Sequence, residues 1–226
     1  MYFDTGYLIY VLPAIIIAMI AQSRVTSTFS KYSKVINHRG ITGAQVAQKI
    51  LDLYGIYDVA IERVSGNLTD HFDPRTKVIR LSDGVYSSTS VAALGVAAHE
   101  TGHAIQHNKG YLPIKMRNAV LPVANLGSTL AFPLVILGII MSFDTLINFG
   151  IILFSAVVLF QIVTLPVEFN ASRRAVAVME EQYILTDDEL KGAKNVLSAA
   201  AMTYVAATIV ALANLIRLLG LARRND

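Results

Sequence analysis

Four long apolar stretches dominate the pattern of hydrophobic and polar positions along the chain. They cover residues 5–21, 121–141, 146–167 and 196–216. A helix needs about 20 apolar residues to cross the hydrocarbon core of a bilayer, and each stretch is near that length. The pattern therefore predicts four transmembrane helices. The first is interpreted as an uncleaved anchor rather than a signal peptide, because no basic residue precedes it and no small-x-small cleavage site is clear.

The second and third stretches are separated only by residues 142–145, which predicts a helical hairpin. Pro122 and Pro133 are expected to kink the second helix, with neighbouring helices satisfying the freed carbonyls. The fourth stretch is rich in alanine, so we expect it to pack closely against another helix. A buried alanine-rich helix of a soluble domain is the alternative interpretation of that stretch.

The polar segments carry helix and strand signals. Thr42 with Gln45 forms a capping box, which predicts a helix as far as Tyr54. Alternation of apolar and polar residues predicts strands over 57–63 and 76–82. Ser90 is a helix cap and Gly110 a helix stop, which together predict another helix between them. A second capping box, Thr186 with Glu189, predicts a helix that leads into the fourth stretch.

These signals predict a mainly α protein with multiple transmembrane helices and one small α+β unit. The predicted division is a transmembrane anchor (1–22), an α+β segment (23–120), a transmembrane hairpin (121–167), a polar segment (168–195) and a C-terminal transmembrane helix with its tail (196–226).

Composition supports a membrane location. Hydrophobic residues make up 54% of the chain and charged residues only 15%, against about 25% in soluble domains. The net charge of +3 is small and the basic residues are scattered, which argues against a nucleic-acid partner. The chain has no cysteine, so disulfides, thiolate metal sites and a cysteine nucleophile are excluded.

The distribution of Lys and Arg predicts the orientation in the membrane. Basic residues lie near the ends of segments 22–120 and 168–195, namely Arg24, Lys31, Lys34, Arg39, Lys109, Lys115, Arg117, Arg173, Arg174, Lys191 and Lys194. The N-terminus carries Asp4 and the hairpin tip carries Asp144, so both are predicted outside and the two polar segments inside. Arg217, Arg223 and Arg224 disagree, because four crossings would place them outside. Either the rule fails there or the fourth helix does not fully cross.

The predicted helix after Ser90 contains His99-Glu100-Thr101-Gly102-His103, the pattern H-E-x-x-H. Residues four apart lie on one face of a helix, so His99 and His103 can bind one zinc ion. Glu100 lies beside them and can exchange protons with water at the metal. Apolar residues surround the pattern, and burying these groups without a ligand would be costly. The pattern therefore predicts a zinc site.

A third protein ligand is needed. His107 lies on the same face but about 12 Å along the axis from His99, whereas donor atoms on one zinc lie within about 4 Å of one another. His107 is then expected either to act beside the zinc site without binding the metal or to be an ordinary polar residue near the end of the helix. Glu168 is the better candidate, because it follows the hairpin that returns the chain to the side of the zinc helix. An ordinary interfacial carboxylate is the alternative for Glu168.

Long segments of the chain resemble the bacterial neutral zinc metallopeptidases of the YugP type, which are integral membrane proteins. The resemblance covers nearly the whole chain, including ITGAQVAQKIL (41–51), LTDHFDPRTKVIRLSDGVY (68–86), SVAALGVAAHETGHAIQH (90–107), TLPVEFNASRRA (164–175) and EEQYILTDDELKGAKNVLSAAAMTYVAA (180–207). It implies a zincin-like unit that holds Zn²⁺ with His99, His103 and Glu168, with Glu100 as the base.

EFNASRRA is more distantly similar to an E-x-x-x-D segment in membrane proteases of the heat-shock and prenyl-protein type, where the Asp supports the zinc site. Here that position is Ser172. Which residue supports the metal is left open, with Asn170 and Arg174 as alternatives.

The sequence thus predicts a multi-pass membrane endopeptidase whose active site faces the cytoplasm. Protein or peptide substrates would bind along the strand 76–82, which the resemblance implies is an edge strand. His71, His107, Arg173 and Arg174 are candidates for stabilising the oxyanion. Lipid is an expected partner, and an oligomer or a regulatory partner is possible. The alternatives are a zinc-stabilised scaffold without turnover and, more weakly, a small transporter or channel subunit.

Overall fold

Helices form most of the structure, a computed structural model that describes residues 5–222. A π-helical turn (Tyr7–Val11) runs into α1 (Leu12–Tyr32), followed by α2 (Gly43–Leu53), α3 (Asp83–Tyr86), α4 (Val91–Asn108), α5 (Leu112–Ile140), α6 (Asp144–Glu181) and α7 (Asp187–Ala222). The strands are β1 (Ala60–Val64), β2 (His71–Asp73) and β3 (Val78–Ser82). The prediction of a mainly α fold with one small α+β part is confirmed.

Four helices are long and apolar enough to cross a membrane, judged by length and composition. They are the helix over Tyr7–Tyr32, then α5, α6 and α7. Each overlaps one of the predicted stretches and is longer than it, because additional turns extend the helix beyond the apolar stretch. Pro122 and Pro133 lie inside α5. Asp4, Arg223 and Arg224, on which part of the orientation prediction depended, lie outside the described residues.

Contacts between Cα atoms divide the chain into two compact units. The first unit comprises residues 1–21, 112–166 and 203–226. Its described part has a core in which Ala131 and Val135 pack with Ile147, Phe154 and other apolar residues of α6 and α7. The second unit comprises residues 22–111 and 167–202, and it contains the sheet, α2, α3 and α4.

The second unit has its own hydrophobic core, built from α2, α3, α4, the sheet and parts of α6 and α7. Both predicted capping boxes form. The Thr42 side chain accepts from Gln45 N while Gln45 caps Thr42 N, and Glu189 Oε2 accepts from Thr186 N at 2.9 Å. Ser90 caps α4 as predicted, because its hydroxyl accepts from Ala93 N at 3.2 Å.

The sheet corrects one prediction. Its strand order is β1-β3-β2, with β1 parallel and β2 antiparallel to β3. The strand predicted over 76–82 is therefore central rather than an edge, and its residues Ile79 and Leu81 are fully buried. The cause is β2, a strand of three residues that is too short to show alternation in the sequence. Among the described residues, β1 and β2 form the edges.

Candidate metal centre

Helix α4 presents His99 and His103 on one face. They lie four residues apart, with ring centroids 4.8 Å apart and ring planes at 89°. Most of the surrounding helix is buried, including Ala97, Ala98 and Ala104 on neighbouring turns. Two imidazoles are therefore held side by side on a rigid element rather than on a loop.

Glu168 of α6 completes the group. Its Oε2 atom lies 3.2 Å from His99 Nε2 and 3.4 Å from His103 Nε2. One ligand atom from each of the three residues can be chosen so that all lie within 4.8 Å of one another. Zinc held tetrahedrally at about 2.0–2.2 Å has ligand atoms about 3.4 Å apart. The donor types, their separations and their burial therefore fit a zinc ion.

A fully buried amide orients His103. The His103 Nδ1 atom lies 3.0 Å from Gln106 Oε1, and Gln106 Nε2 donates to the Val167 carbonyl at 2.8 Å and to Asn170 Oδ1 at 3.0 Å. Because Gln106 Oε1 is only an acceptor, Nδ1 carries the ring proton in the neutral imidazole. The lone pair of Nε2 is then available for a metal. Gln106 also connects the helix carrying His103 to the helix carrying Glu168.

Ser172 has the same relation to His99, with its hydroxyl 3.1 Å from His99 Nδ1. The sequence analysis had left Asn170 and Arg174 as alternatives for supporting the metal. Among the described residues neither is hydrogen-bonded to a histidine. Asn170 instead accepts from Gln106 and from Arg174 Nε, the latter at 2.8 Å. These two residues thus support Gln106, and Ser172 itself orients His99.

The carboxylate of Glu168 dominates the electrostatics of the group. Burial opposes protonation of His103, but the hydrogen bond and negative charge of Glu168 outweigh it and raise the pKa of the imidazole. The charge of Glu100 and the bond to Gln106 act in the same direction. The negative charge of Glu168 therefore makes the group attract positive charge, whether that of a proton or of a bound cation.

The remaining predicted residues lie around this group. Glu100 is half-buried on α4, and no described side chain is hydrogen-bonded to it. His107 lies outside the group, with its ring centroid 5.8 Å from that of Phe72 on β2. His71 is exposed and bonded to Thr69 O at 2.8 Å, and Arg173 lines a groove between α6 and α7.

Two features of the site were not anticipated from the sequence. Gln106 was missed, although it stands three residues after His103 on the same helix and so can contact it. Gly102 was quoted only as part of the motif. A Cβ atom added there would lie 2.8 Å from the Ala171 carbonyl oxygen of α6. The absence of a side chain therefore lets the two ligand-bearing helices approach closely.

A buried His-His-Glu group in a chain with four membrane-length helices is typical of a membrane metallopeptidase. Comparison with known proteins gives the same class. Residues 7–223 match the family described as "Putative neutral zinc metallopeptidase", and the chain belongs to that family.

A relative in this family is the "Putative membrane protease YugP" of Bacillus subtilis (strain 168). It is 49% identical over 197 residues, which cover 87% of this chain and 88% of the relative. No solved structure matches the chain. The family and this relative support a membrane protease, and the buried His-His-Glu group fits zinc.

Proposed function

We propose that this protein is a zinc-dependent endopeptidase of the membrane, with His99, His103 and Glu168 as metal ligands. The observation that carries the proposal is the buried group of two imidazoles and one carboxylate, with their ligand atoms within 4.8 Å of one another. Three protein ligands leave a fourth position for water, as in catalytic rather than structural zinc sites.

Glu100 is the proposed general base. It follows His99 directly on α4, so its carboxylate projects beside the ligands rather than toward the metal. Zinc bound by the three ligands supplies a Lewis acid that polarises a carbonyl and makes water more acidic. Glu100 takes a proton from the attacking water as its oxygen bonds to the scissile carbonyl carbon. It then gives that proton to the nitrogen as the C–N bond breaks, which yields a carboxylic acid and an amine.

The proposed peptide-binding element is the edge strand β2. The sequence analysis had assigned peptide binding to the strand 76–82, but that strand lies in the centre of the sheet and has no free edge. The contact between Phe72 and His107 links β2 to the helix that carries the histidines. An extended peptide can add to an edge strand through main-chain hydrogen bonds, a mode of binding that does not require a fixed sequence.

The proposed location of cleavage is the cytoplasmic surface of the membrane. Glu168 comes one residue after the predicted end of the third transmembrane stretch and lies on the same unbroken helix. The abundance of Lys and Arg in segments 22–120 and 168–195 favours the cytoplasm for both. Juxtamembrane or loosened segments of membrane proteins are then the expected substrates, consistent with a role in membrane protein quality control.

The experiment is metal analysis of the purified protein together with cleavage of an unfolded reporter protein in detergent. We expect about one zinc per chain, cleavage that stops after chelation, and recovery when zinc is restored. Cleavage that continues in metal-free protein would overturn the proposal. Full zinc content without cleavage of any reporter would favour the alternative of a zinc-stabilised scaffold.

A further inference from the structure

A cationic groove lies between the end of α1 and the beginning of α7, in the second unit and apart from the metal centre. Its volume is about 330 Å³, within the range of roughly 300–1,000 Å³ that small-molecule sites occupy. It is lined by Arg24, Thr28, Lys31 and Tyr32 of α1 and by Asn195, Ser198, Ala199 and Met202 of α7.

The charge of this groove is uncompensated. Arg24 and Lys31 line it, and no acidic residue does. Within residues 5–222 no carboxylate lies within ion-pair distance of either cation. By contrast, Lys191 and Lys194 on α7 pair with Asp188 and Glu180. The groove therefore presents two cations without an internal counterion, an arrangement that favours an anionic ligand.

The neighbouring polar groups suit a phosphate. Thr28 lies between Arg24 and Lys31 on one face of α1, at spacings of four and three residues. Tyr32 accepts a hydrogen bond from Asn195 Nδ2 at 2.9 Å, so its own O–H is available to donate. Hydroxyl donors next to Arg and Lys are the groups that bind phosphate oxygens.

The tyrosine is held in place by close packing. A Cβ atom on Gly192 would lie 2.8 Å from Tyr32 Cδ1 and from Tyr32 Cε1, so the ring rests on the backbone of α7. The Lys31 ammonium lies 5.2 Å from the centroid of the same ring. One wall of the groove is therefore preformed.

The end of the first predicted transmembrane stretch supplies the argument for a lipid. Arg24 is three residues, about 4.5 Å along the axis, beyond Ala21, where that stretch ends. A cationic side chain at such a position lies at the depth of lipid headgroups, and basic pockets between membrane helices bind anionic headgroups. The groove extends from Arg24 away from the membrane, because Tyr32, which contacts Asn195, is eight residues or about 12 Å farther along α1.

We propose that this groove binds the phosphate headgroup of an anionic phospholipid. The phosphate is held by Arg24 and Lys31, the hydroxyls of Thr28 and Tyr32 contact its oxygens, and Met202 contacts the start of the acyl chains. This site is independent of the metal centre and does not depend on proteolysis.

The test uses the full-length protein in neutral detergent and a fluorescent short-chain phosphatidylglycerol as the probe. The double variant Arg24→Gln/Lys31→Gln should bind it about tenfold or more weakly than wild type, since each charge-assisted contact contributes strongly. The matched control is Lys34→Gln/Arg39→Gln, which removes the same charge from exposed positions outside the groove. It should change affinity by less than about twofold, because neither residue lines the groove and charges at a distance from the ligand are screened.

Two competition experiments distinguish a lipid headgroup from free phosphate as the ligand. Phosphatidylcholine, whose headgroup has no net charge, and inorganic phosphate should each compete at least about tenfold less well than phosphatidylglycerol. Equal losses in the double variant and its control would overturn the proposal, since binding would then reflect overall charge. Equally strong competition by inorganic phosphate would also overturn it, because the ligand would then be a free anion. The midpoint of thermal unfolding of both variants should match that of wild type, which verifies that each is folded.

Discussion

At the scale of single residues, the proposed metal centre depends on side chains that orient the candidate ligands as much as on those ligands. His103 is fixed by Gln106 and His99 by Ser172, so both rings present Nε2 to the same point. Hydrogen bonds of this kind set the ring tautomer and the direction of the lone pair. We therefore expect Gln106 and Ser172 to contribute measurably to zinc affinity, although neither is proposed to bind the metal.

Replacing Gln106 with Met should lower zinc affinity by about 10–100-fold, measured by competition with a chelator. The variant loses the acceptor for His103 Nδ1 and the side-chain donor to the Val167 carbonyl. The matched control is Gln48→Met on α2, which makes the same chemical change at an exposed position. Equal zinc affinity in the two variants would contradict the orienting role.

The identity of the third ligand is tested by comparing Glu168→Ala with His107→Ala. Glu168 Oε2 lies within 3.4 Å of both histidine Nε2 atoms, whereas His107 packs against Phe72. Glu168→Ala should lose about two orders of magnitude or more in zinc affinity, and His107→Ala should retain the metal. A zinc-replete Glu168→Ala protein beside a zinc-free His107→Ala protein would reverse the assignment.

At the scale of elements, the site is a crossing of two helices. Gly102 on α4 meets the backbone of α6 at Ala171, where a Cβ atom would lie 2.8 Å from the carbonyl oxygen. Glu168 and Ser172 flank that contact along α6, and both touch the histidines. The distance between the helices therefore sets the distance between Glu168 and the two histidines, the proposed metal ligands.

Gly102→Ala should push α4 and α6 apart, which would weaken zinc binding and cost about 1–3 kcal/mol of stability through overpacking. Chelator competition and thermal unfolding measure the two effects. Gly84→Ala on α3 is the control, because a Cβ there has no atom within 4 Å. If Gly102→Ala binds zinc as tightly as Gly84→Ala does, the close crossing is not what positions the ligands.

Local patterns were sufficient to predict every helix except the four-residue α3, but not all the helix ends. Apolar length predicted the four membrane-length helices, and the side chains of Thr42, Ser90 and Thr186 marked three helix starts. The sequence did not show that α6 continues past Glu168 to Glu181. Beyond the apolar stretch the helix buries only a narrow stripe, including Ala171, Ala175 and Val178, which is a weak signal against its polar neighbours.

The site was only partly predictable for a related reason. His99 and His103 follow from spacing within one helix, because residues four apart share a face. Partners on another helix depend on how α4 crosses α6, and no local pattern encodes that crossing. Gln106 and Ser172 therefore emerged only from the structure. The strand β2 was not predicted, because its three residues are too few to show an alternation of apolar and polar positions. As a result, β3 was wrongly predicted to be an edge strand.

At the scale of the whole molecule, the orientation in the membrane is open to direct test, because the chain has no cysteine. Single cysteines at Ser33 and Glu181 should be shielded from an impermeant thiol reagent in intact cells, and one at Ser142 should be labelled. All three positions are exposed in the structure, so a failure to label cannot be caused by burial within the protein. Labelling at Ser33 but not at Ser142 would invert the predicted topology.

The central claim, hydrolysis with Glu100 as the base, is tested most directly by measuring zinc content and reporter cleavage together in wild type, Glu100→Gln and His99→Ala. Glu100→Gln should keep about one zinc per chain while losing cleavage by at least about 10²–10⁴-fold, since it removes proton transfer but no ligand. His99→Ala should lose both zinc and cleavage. Full cleavage by Glu100→Gln would contradict the account.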